Sequence, residues 1–489
     1  MSTTTFHFID GMEVPSLSER TFESWNPATG EATGEVAFGE LEDVERAVTA
    51  AWRAYDNGAW RNAAPAARAA CLRRIAQLIR DRAEEIALLE ARDVGKPLTD
   101  ARGDVEGAAT LLEYAATLPE NVRGDVFARE AGMFTFSRRE PYGVVGAIAP
   151  WNFPFLLAVW KTAPALAVGN SVILKMAEQT PLSTSLYAQI CAEAGLPMGV
   201  LNVVHGDGAT TGAALAGHPR VPKITFTGST SVGRAILQMG AATIKSCHLE
   251  LGGKTPNIVF PDADLEQAVA GSLFTSFFNS GQVCTSGSRL LVHESIADDF
   301  VAELAARARE LAVGDPLADA TRLGPLVSAV QRDRVSEYIE AGVEAGATML
   351  LGGGSPQLAP PFDRGFFIEP TIFADVDPHA RVAQEEIFGP VLSVLRFRSD
   401  DDAIALANDV AYGLAATVWT NTLDRALHLT ERLEAGIVWT NCPHAGAWHI
   451  PYEGHKQSGL GEDLGLESIQ TFTRLKVNHI KVDGSCVAW

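Results

Sequence analysis

The sequence is poor in cysteine: its 489 residues contain six, at positions 71, 191, 247, 284, 442 and 486. No two of them form a Cys-x-x-Cys pair, and none lies at the Cys/His spacing of a zinc site. We therefore expect neither a disulfide framework nor a bound metal. Scattered single cysteines are typical of reduced thiols, so this pattern favours a cytoplasmic location.

The sequence also lacks a long apolar run, since no uninterrupted stretch approaches the ~20 residues that cross a bilayer. Residues 142–174 are the most apolar, but prolines, Lys161 and Gly169 interrupt them. We expect buried strands and turns there. The first ten residues lack the basic region and apolar run of a signal peptide. We therefore expect a soluble protein without a membrane partner.

Positive charge is scarce, because 39 Lys and Arg face 60 Asp and Glu for a net charge of -21. Phosphate backbones and anionic lipid surfaces repel such a chain, so nucleic acid is not expected as a partner. The length predicts two or three domains rather than one core.

Short β-branched runs alternate with helix-length segments, which predicts an α/β fold with parallel strands and right-handed crossovers. Helical periodicity covers residues 41–91, and further helices are predicted at 181–194 and 264–279. Residues 122–140 and 471–489 read instead as extended segments that are candidates for pairing between subunits. The predicted strands are 144–149, 171–175, 200–204, 223–227, 257–260, 288–292, 391–396 and 416–420.

Three residues could carry chemistry. Cys284 follows a Gly-Gln pair and precedes a Ser/Thr/Gly-rich stretch that lets a substrate approach its sulfur; it is either a nucleophile or a buried structural thiol. Glu250 ends an apolar strand where desolvation raises a carboxyl pKa, unless it pairs with Lys254 at the surface. Asn152, between prolines and aromatics, offers an amide donor for an oxyanion, or satisfies a local turn.

Several glycine-rich turns follow predicted strands and could bind a nucleotide. Gly208 and Gly212 come near the dinucleotide fingerprint, and the turn at Gly228 opens a helix whose amides could hold a diphosphate. Lys175 and Glu178 follow another strand, where they could hold ribose hydroxyls or form an exposed ion pair.

Taken together, these segments closely resemble the aldehyde dehydrogenase superfamily over nearly the whole chain. The matching motifs are PWNFP at Pro150, FTGSTxVG at Phe226, LELGGK at Leu249, GQxC at Gly281 and EEIFGPV at Glu385. The resemblance implies that Cys284 attacks an aldehyde, that Asn152 and the Cys284 N–H stabilise the oxyanion, and that Glu250 activates the water that hydrolyses the thioester.

By the same resemblance, NAD is the cofactor, and NADP is disfavoured because the Glu178 carboxylate repels a 2′-phosphate. The implied fold has a Rossmann-like cofactor domain (1–121 and 142–253), an α/β catalytic domain (254–470) and a small β oligomerisation flap (122–141 and 471–489) of a homodimer or homotetramer. The residues implied in cofactor binding are Ile148, Pro150, Trp151, Lys175, Glu178, Gly208, Gly212, Phe226, Gly228, Ser229, Val232, Leu251, Glu386 and Phe388.

Two departures from the family pattern stand out. Met176 replaces a proline after the ribose lysine. Asp463 stands where some relatives carry a glutamate proposed to relay protons, and its shorter side chain puts that relay in doubt.

The predicted substrate funnel is rich in aromatic side chains, which suits an aromatic, medium-chain or amino-aldehyde. It is most similar to that of betaine- and amino-aldehyde dehydrogenases, and Asp104 and Glu106 are expected to attract an amine. A CoA-acylating or semialdehyde-specific enzyme, or a catalytically idle homologue, remains an alternative. The predicted funnel residues are Phe153, Leu157, Trp160, Phe278, Val283, Thr285, Trp448 and Tyr452.

Overall fold

The computed structural model describes residues 4–128 and 132–482, and its largest sheet has eight strands. The five central strands of this first sheet run parallel, so their carboxyl ends share one edge. Their apolar side chains are buried on both faces, as expected for a parallel sheet covered by helices. In spatial order the strands are Gly459–Leu460, Ser246–Glu250, Lys223–Thr227, Val144–Ala149, Ser171–Met176, Leu201–Val203, His7–Ile9 and Met12–Val14.

A second sheet of seven strands carries the other half of the α/β pattern. All neighbouring strands are parallel except the first pair, which is antiparallel. In spatial order they are Thr348–Leu351, Thr371–Ala374, Val391–Phe397, Arg289–His293, Pro256–Val259, Ala415–Trp419 and Ile437–Thr440. Each predicted strand of the two sheets, and the helices predicted at 181–194 and 264–279, has a counterpart with ends that differ by at most two residues. The helical stretch predicted at 41–91 divides into three helices and ends at Val94.

The helices follow from amphipathic patterns with defined ends. In Leu41–Asn57, Val44, Val48 and Ala51 form the buried stripe, and Gly58 ends the helix with a φ of 79° that favours glycine. The longer helices are Leu41–Asn57, Pro65–Asp81, Ala83–Val94, Leu98–Ala115, Pro154–Ala167, Leu182–Glu193, Thr230–Ala241, Leu265–Phe277, Ala297–Arg309, Ala329–Glu344, Asp400–Asn408 and Leu423–Arg432.

The apolar stretch at 142–174 corrects one prediction. It contains the helix Pro154–Ala167 between two strands, and not strands and turns alone. Pro154 occupies the first turn, where its missing N–H costs nothing, and Pro164 lies inside the helix. The helix is buried on nearly all sides, so its sequence shows no polar face to reveal the helical period. Within the described residues, no helix is long and apolar enough to cross a membrane.

The two extended segments pair with each other in the same chain. Strand Met133–Pro141 runs antiparallel to Thr473–Lys481 over nine residue pairs, from Thr473 opposite Pro141 to Lys481 opposite Met133. The predicted role of this two-stranded arm between subunits stays a prediction. Three smaller sheets complete the fold: Thr4–Thr5, Glu31–Ala37 and Thr21–Asn26; Tyr412–Gly413 with His455–Lys456; and Tyr452–Glu453 with Glu462–Asp463.

Candidate functional site

A cavity of about 690 Å³ opens at the carboxyl ends of the first sheet's parallel strands. It brings together Asn152, Glu250 and Cys284, which lie far apart in the sequence. Asn152 follows the strand Val144–Ala149, and Glu250 ends the strand Ser246–Glu250. The strand order of the sheet therefore places two of the three predicted residues at one edge.

Cys284 lies on a sharply turned segment after the helix Leu265–Phe277. Asn279 and Ser280 have left-handed φ values of 49° and 56°, which break the helical path before the cysteine. The Cys284 carbonyl passes so close to Gly253 that a Cβ there would lie 2.2 Å from its oxygen. Glycine at 253 is therefore required to keep the nucleophile segment next to the end of the first sheet.

The Cys284 thiol is half-buried, and Sγ lies 4.0 Å from the Tyr452 hydroxyl. Burial raises the pKa of Cys284 to about 12, and the carboxylates of Glu386 and Glu250 act in the same direction. The surroundings provided by the chain alone therefore favour the thiol over the thiolate.

Asn152 is fixed beside the nucleophile segment by two amide hydrogen bonds. Its Nδ2 donates to the Gln282 carbonyl at 2.9 Å, and Nδ2 of Asn279 donates to the Asn152 carbonyl at 3.0 Å. The residue is 3% exposed and lines the cavity. Since an amide nitrogen carries two hydrogens, one remains to donate to an oxyanion above Cys284.

Glu250 is buried and forms no ion pair with Lys254. Within the described part of the chain, neither of its carboxyl oxygens has a hydrogen-bond partner. Desolvation raises the pKa of Glu250 well above its usual value, and the charge of Asp463 adds to the rise. This is the environment in which a carboxylate can act as a base near neutral pH.

A cluster of buried polar side chains lies behind Glu250. Nε2 of His248 is 3.8 Å from Oε1 of Glu250 and 3.7 Å from Oδ1 of Asp463, while Nδ1 lies 3.0 Å from the Thr225 hydroxyl. Nζ of Lys161 donates to Oδ2 of Asp463 at 2.5 Å. Burial alone would raise the pKa of Asp463, but His248 and Lys161 facing it lower that pKa overall.

The sequence identified Asp463 but missed His248 and Lys161. The available signals were a lysine inside the most apolar stretch and a histidine two residues before the glutamate. One atom each of His248, Glu250 and Asp463 lies within 4.8 Å of the others, a spacing that could hold a metal. Because the Lys161 ammonium already neutralises Asp463, the cluster contains its own cation.

The predicted cofactor residues follow neighbouring parallel strands of the first sheet. Lys175 and Glu178 form a pair with Nζ 3.4 Å from Oε2, in which the lysine is buried and the carboxylate is 39% exposed at its side chain. Ser229 caps the helix Thr230–Ala241 by accepting a hydrogen bond from the Val232 N–H at 3.4 Å. This helix start offers free backbone amides to an anion.

Glu386 and Phe388 reach the cavity from the second sheet's side of the site. Oε1 of Glu386 accepts a hydrogen bond from the Gly253 N–H at 2.9 Å, and the Phe388 ring packs edge-on against Trp151 at 5.2 Å. Gly228 is tightly packed, because a Cβ there would lie 2.4 Å from the Phe226 ring. Pro150, Trp151, Gly228, Ser229, Leu251, Glu386 and Phe388 line the cavity, whereas Ile148, Lys175, Glu178, Gly208, Gly212, Phe226 and Val232 lie outside its lining.

All eight predicted funnel residues line the cavity. Trp160 packs edge-to-face against Trp448 at 5.6 Å and against Tyr452 at 5.5 Å. Phe153 lies 6.0 Å from Phe278 on another side. The funnel prediction omitted other lining residues, among them Trp439, His444 and Ile450. Trp439 lies in the strand Ile437–Thr440, and the other two lie in the loop that follows it, where no periodicity marks them.

The expected attraction of Asp104 and Glu106 for an amine is wrong. Asp104 is buried and bonded to Lys96, and Glu106 pairs with Arg80 at 2.9 Å. Nζ of Lys96 also lies 3.9 Å from the centre of the Phe153 ring. Both carboxylates are thus paired with basic side chains, and neither lines the cavity.

Comparison with known proteins places this site in a family. Residues 14–478 match the model described as "Aldehyde dehydrogenase family". The chain is 43% identical over 478 residues to the mitochondrial aldehyde dehydrogenase of Homo sapiens, covering 97% of this chain and 92% of the relative. It is 44% identical over 470 residues to the mitochondrial family 2 member B4 enzyme of Arabidopsis thaliana, covering 96% and 86%.

Two solved structures, each in complex with NAD+, show the same architecture. An indole-3-acetaldehyde dehydrogenase superposes with a TM-score of 0.95 at 44% identity, covering 98% of this chain and 96% of its own. The betaine aldehyde dehydrogenase of Staphylococcus aureus superposes with a TM-score of 0.97 at 36% identity, covering 99% and 96%. With a family match over nearly its whole length and relatives above 40% identity, the chain belongs to the aldehyde dehydrogenase family.

Proposed function

We propose that this protein oxidises an aldehyde to its carboxylic acid with NAD, through a cysteine thioester that water hydrolyses. The observation that carries the proposal is the meeting of Cys284, Asn152 and Glu250 in one cavity. A nucleophile, an oxyanion donor and a desolvated base are the groups that acyl transfer to water requires.

Acylation begins with Cys284. Its sulfur attacks the aldehyde carbon, and the carbonyl π electrons move to oxygen and form a tetrahedral oxyanion. The Asn152 amide and the Cys284 backbone N–H donate hydrogen bonds to that oxygen. The side-chain amide of Asn152 is already oriented by the Gln282 carbonyl, and its main chain is held by Asn279, so the donor needs little rearrangement when charge develops.

The residues present fit NAD. Bound NAD supplies the hydride acceptor for the oxidation. The buried Lys175 and the exposed carboxylate of Glu178 would hold the adenosine ribose, and the start of helix Thr230–Ala241 would hold the diphosphate. Glu386, oriented by the Gly253 N–H, would hold the second ribose. The Glu178 carboxylate accepts hydrogen bonds from a 2′-OH and repels a 2′-phosphate, which favours NAD over NADP.

Hydrolysis depends on Glu250. Its carboxylate accepts a proton from water, the resulting hydroxide attacks the thioester carbon, and the Cys284 thiolate leaves. The raised pKa of Glu250, due to desolvation and then Asp463, makes it a stronger base than an exposed carboxylate. The same carboxylate disfavours the CoA-acylating alternative, which does not need water activation.

The funnel favours an uncharged aromatic or medium-chain aldehyde over an amino-aldehyde. Its walls are mainly aromatic and aliphatic, and the carboxylates expected to attract an amine are paired elsewhere. Among the similar structures, the indole-3-acetaldehyde enzyme is the more identical at 44%, compared with 36% for the betaine aldehyde enzyme. We therefore propose an aromatic aldehyde as the preferred substrate.

The proposal also covers the domain boundaries, the association of subunits and the location in the cell. The cofactor domain comprises residues 1–121 and 142–253, the catalytic domain comprises 254–470, and the arm joins subunits into a homodimer or homotetramer. The exposed apolar side chains of the arm, including Phe134, Val477 and Ile480, support a role in association. Scattered reduced cysteines support a cytoplasmic location.

The test is NADH formation with matched aldehydes. Phenylacetaldehyde, hexanal and trimethylaminoacetaldehyde are compared with and without CoA, and Cys284→Ser serves as the inactive control. We expect kcat/KM to be highest for the aromatic aldehyde, without dependence on CoA. Absence of turnover with every aldehyde, despite NAD binding, would refute the enzyme assignment. A preference for the cationic aldehyde would refute only the substrate class.

A further inference from the structure

The surroundings of the Cys284 sulfur oppose its ionisation. The side chain is half-buried, and the nearby carboxylates of Glu250 and Glu386 repel a thiolate. Within the described residues, no salt-bridging cation contacts the sulfur. A nucleophilic thiolate therefore needs a hydrogen-bond donor in direct contact.

The hydroxyl of Tyr452 is in a position to be that donor. It lies 4.0 Å from Sγ, and in the described part of the chain this is its one hydrogen-bond contact. Burial raises the pKa of Tyr452 well above its usual value, so the phenol keeps its proton. A phenol that stays protonated can donate to a thiolate at any pH at which the enzyme works.

The Tyr452 ring is held in this direction from two sides. Trp160 packs against it edge-to-face, with centroids 5.5 Å apart and planes at 87°. The Tyr452 backbone pairs with that of Asp463, in the antiparallel ladder between Tyr452–Glu453 and Glu462–Asp463. The hydroxyl is thus fixed by packing and by a strand pair, as a preorganised donor requires.

We propose that Tyr452 is a further catalytic residue, whose hydroxyl donates a hydrogen bond to the Cys284 thiolate and increases the fraction of nucleophilic sulfur. The assignment deepens the proposed function and rests on Cys284 being the nucleophile. No proton is transferred from the phenol. The thiol proton passes to water in the open cavity, and the phenol hydrogen turns towards the negative sulfur.

The test measures thiolate reactivity without NAD or aldehyde. Iodoacetamide alkylation of Cys284 is followed by intact mass from pH 6 to 9 in the wild type and in Tyr452→Phe, with Cys284→Ser identifying the labelled site. Loss of a hydrogen bond to a charged group predicts alkylation about four- to fifteenfold slower at each pH, because the thiolate becomes rarer although each thiolate is more nucleophilic. The variant keeps the ring that packs on Trp160, so its circular dichroism and melting temperature should stay near those of the wild type.

Tyr114→Phe is the matched control. It removes a buried hydroxyl that has no hydrogen-bond partner among residues 4–128 and 132–482, on the helix Leu98–Ala115 and outside the cavity lining. We expect its alkylation rate to equal that of the wild type. Fluorotyrosine at position 452 is a second variant. It keeps the shape of the ring and makes the hydroxyl a stronger hydrogen-bond donor, so Cys284 should be alkylated faster in this variant.

Equal alkylation rates in wild type and Tyr452→Phe would overturn the assignment of Tyr452, as would unchanged rates with fluorotyrosine. Neither result would touch the proposed function. That proposal fails separately if wild-type enzyme fully alkylated at Cys284 still forms NADH from an aldehyde. The two ideas are therefore tested by different measurements on the same protein.

Discussion

Nζ of Lys161 lies 2.5 Å from Oδ2 of Asp463, and both side chains are fully buried. The pair joins the helix Pro154–Ala167, which leads away from Asn152, to the strand Glu462–Asp463 of the C-terminal part. In such a pair each ion compensates the other, so the loss of one partner leaves a buried charge alone.

We expect Lys161→Met to lower the free energy of unfolding by about 3–5 kcal/mol, because the Asp463 carboxylate would lose its partner. Urea unfolding at fixed protein concentration measures the change. Arg307→Met is the control, since its pair with Glu303 lies at the surface and should contribute at most about 1 kcal/mol. Equal small losses in both variants would show that the buried pair does not stabilise the fold.

Glu250→Gln should separate the two halves of the reaction. The variant retains Cys284 and Asn152, so it should release one NADH per active site in a burst. The acyl-enzyme should then accumulate, because glutamine cannot accept a proton from water. Stopped-flow absorbance and intact mass detect the two events. Steady turnover at the wild-type rate would exclude Glu250 as the base.

Hydrolysis of the wild-type acyl-enzyme should accelerate as the pH rises. Only the carboxylate form of Glu250 accepts a proton, and desolvation raises its pKa well above the usual value, so the protonated form persists to higher pH than in an exposed glutamate. The rate should increase through that pKa, above the ordinary range for glutamate, and then level off. Single-turnover measurements isolate this step. A rate that does not change between about pH 5 and 9 would contradict the assigned base.

Glu178→Gln should shift cofactor preference towards NADP. Removing the carboxylate removes the repulsion of a 2′-phosphate and a charged acceptor for the 2′-OH, so the ratio of kcat/KM for NAD to that for NADP should fall at least about tenfold. Glu193→Gln is the control. Glu193 is exposed on the helix Leu182–Glu193, and its replacement changes the net charge by the same amount. An unchanged ratio would place Glu178 away from the ribose.

The sequence predicts the α/β alternation and the strand ends well, because those features are local. Lys223–Thr227 is predicted to the residue, since a β-branched run stops at a Gly-Ser turn. The helix Pro154–Ala167 escapes prediction because its burial removes the polar face on which periodicity depends.

For the candidate site too, local features could be predicted and tertiary contacts could not. Cys284, Glu250 and Asn152 stand in distinctive local segments, and the structure brings them to one cavity. The pairing of Asp104 with Lys96, and of Asp463 with Lys161, depends on tertiary contacts between side chains that are not adjacent in sequence. Sequence reasoning therefore finds the reacting groups more readily than the charges that surround them.

Tyr452 and Asp463 are direct partners in a two-residue antiparallel ladder. One of them contacts the sulfur of Cys284, and the other lies in the buried cluster behind Glu250. The residue next to the Cys284 sulfur and the residue next to the Glu250 carboxylate are therefore held by the same pair of short strands. A distortion of this ladder would disturb thioester formation and thioester breakdown together, even though different side chains serve the two steps.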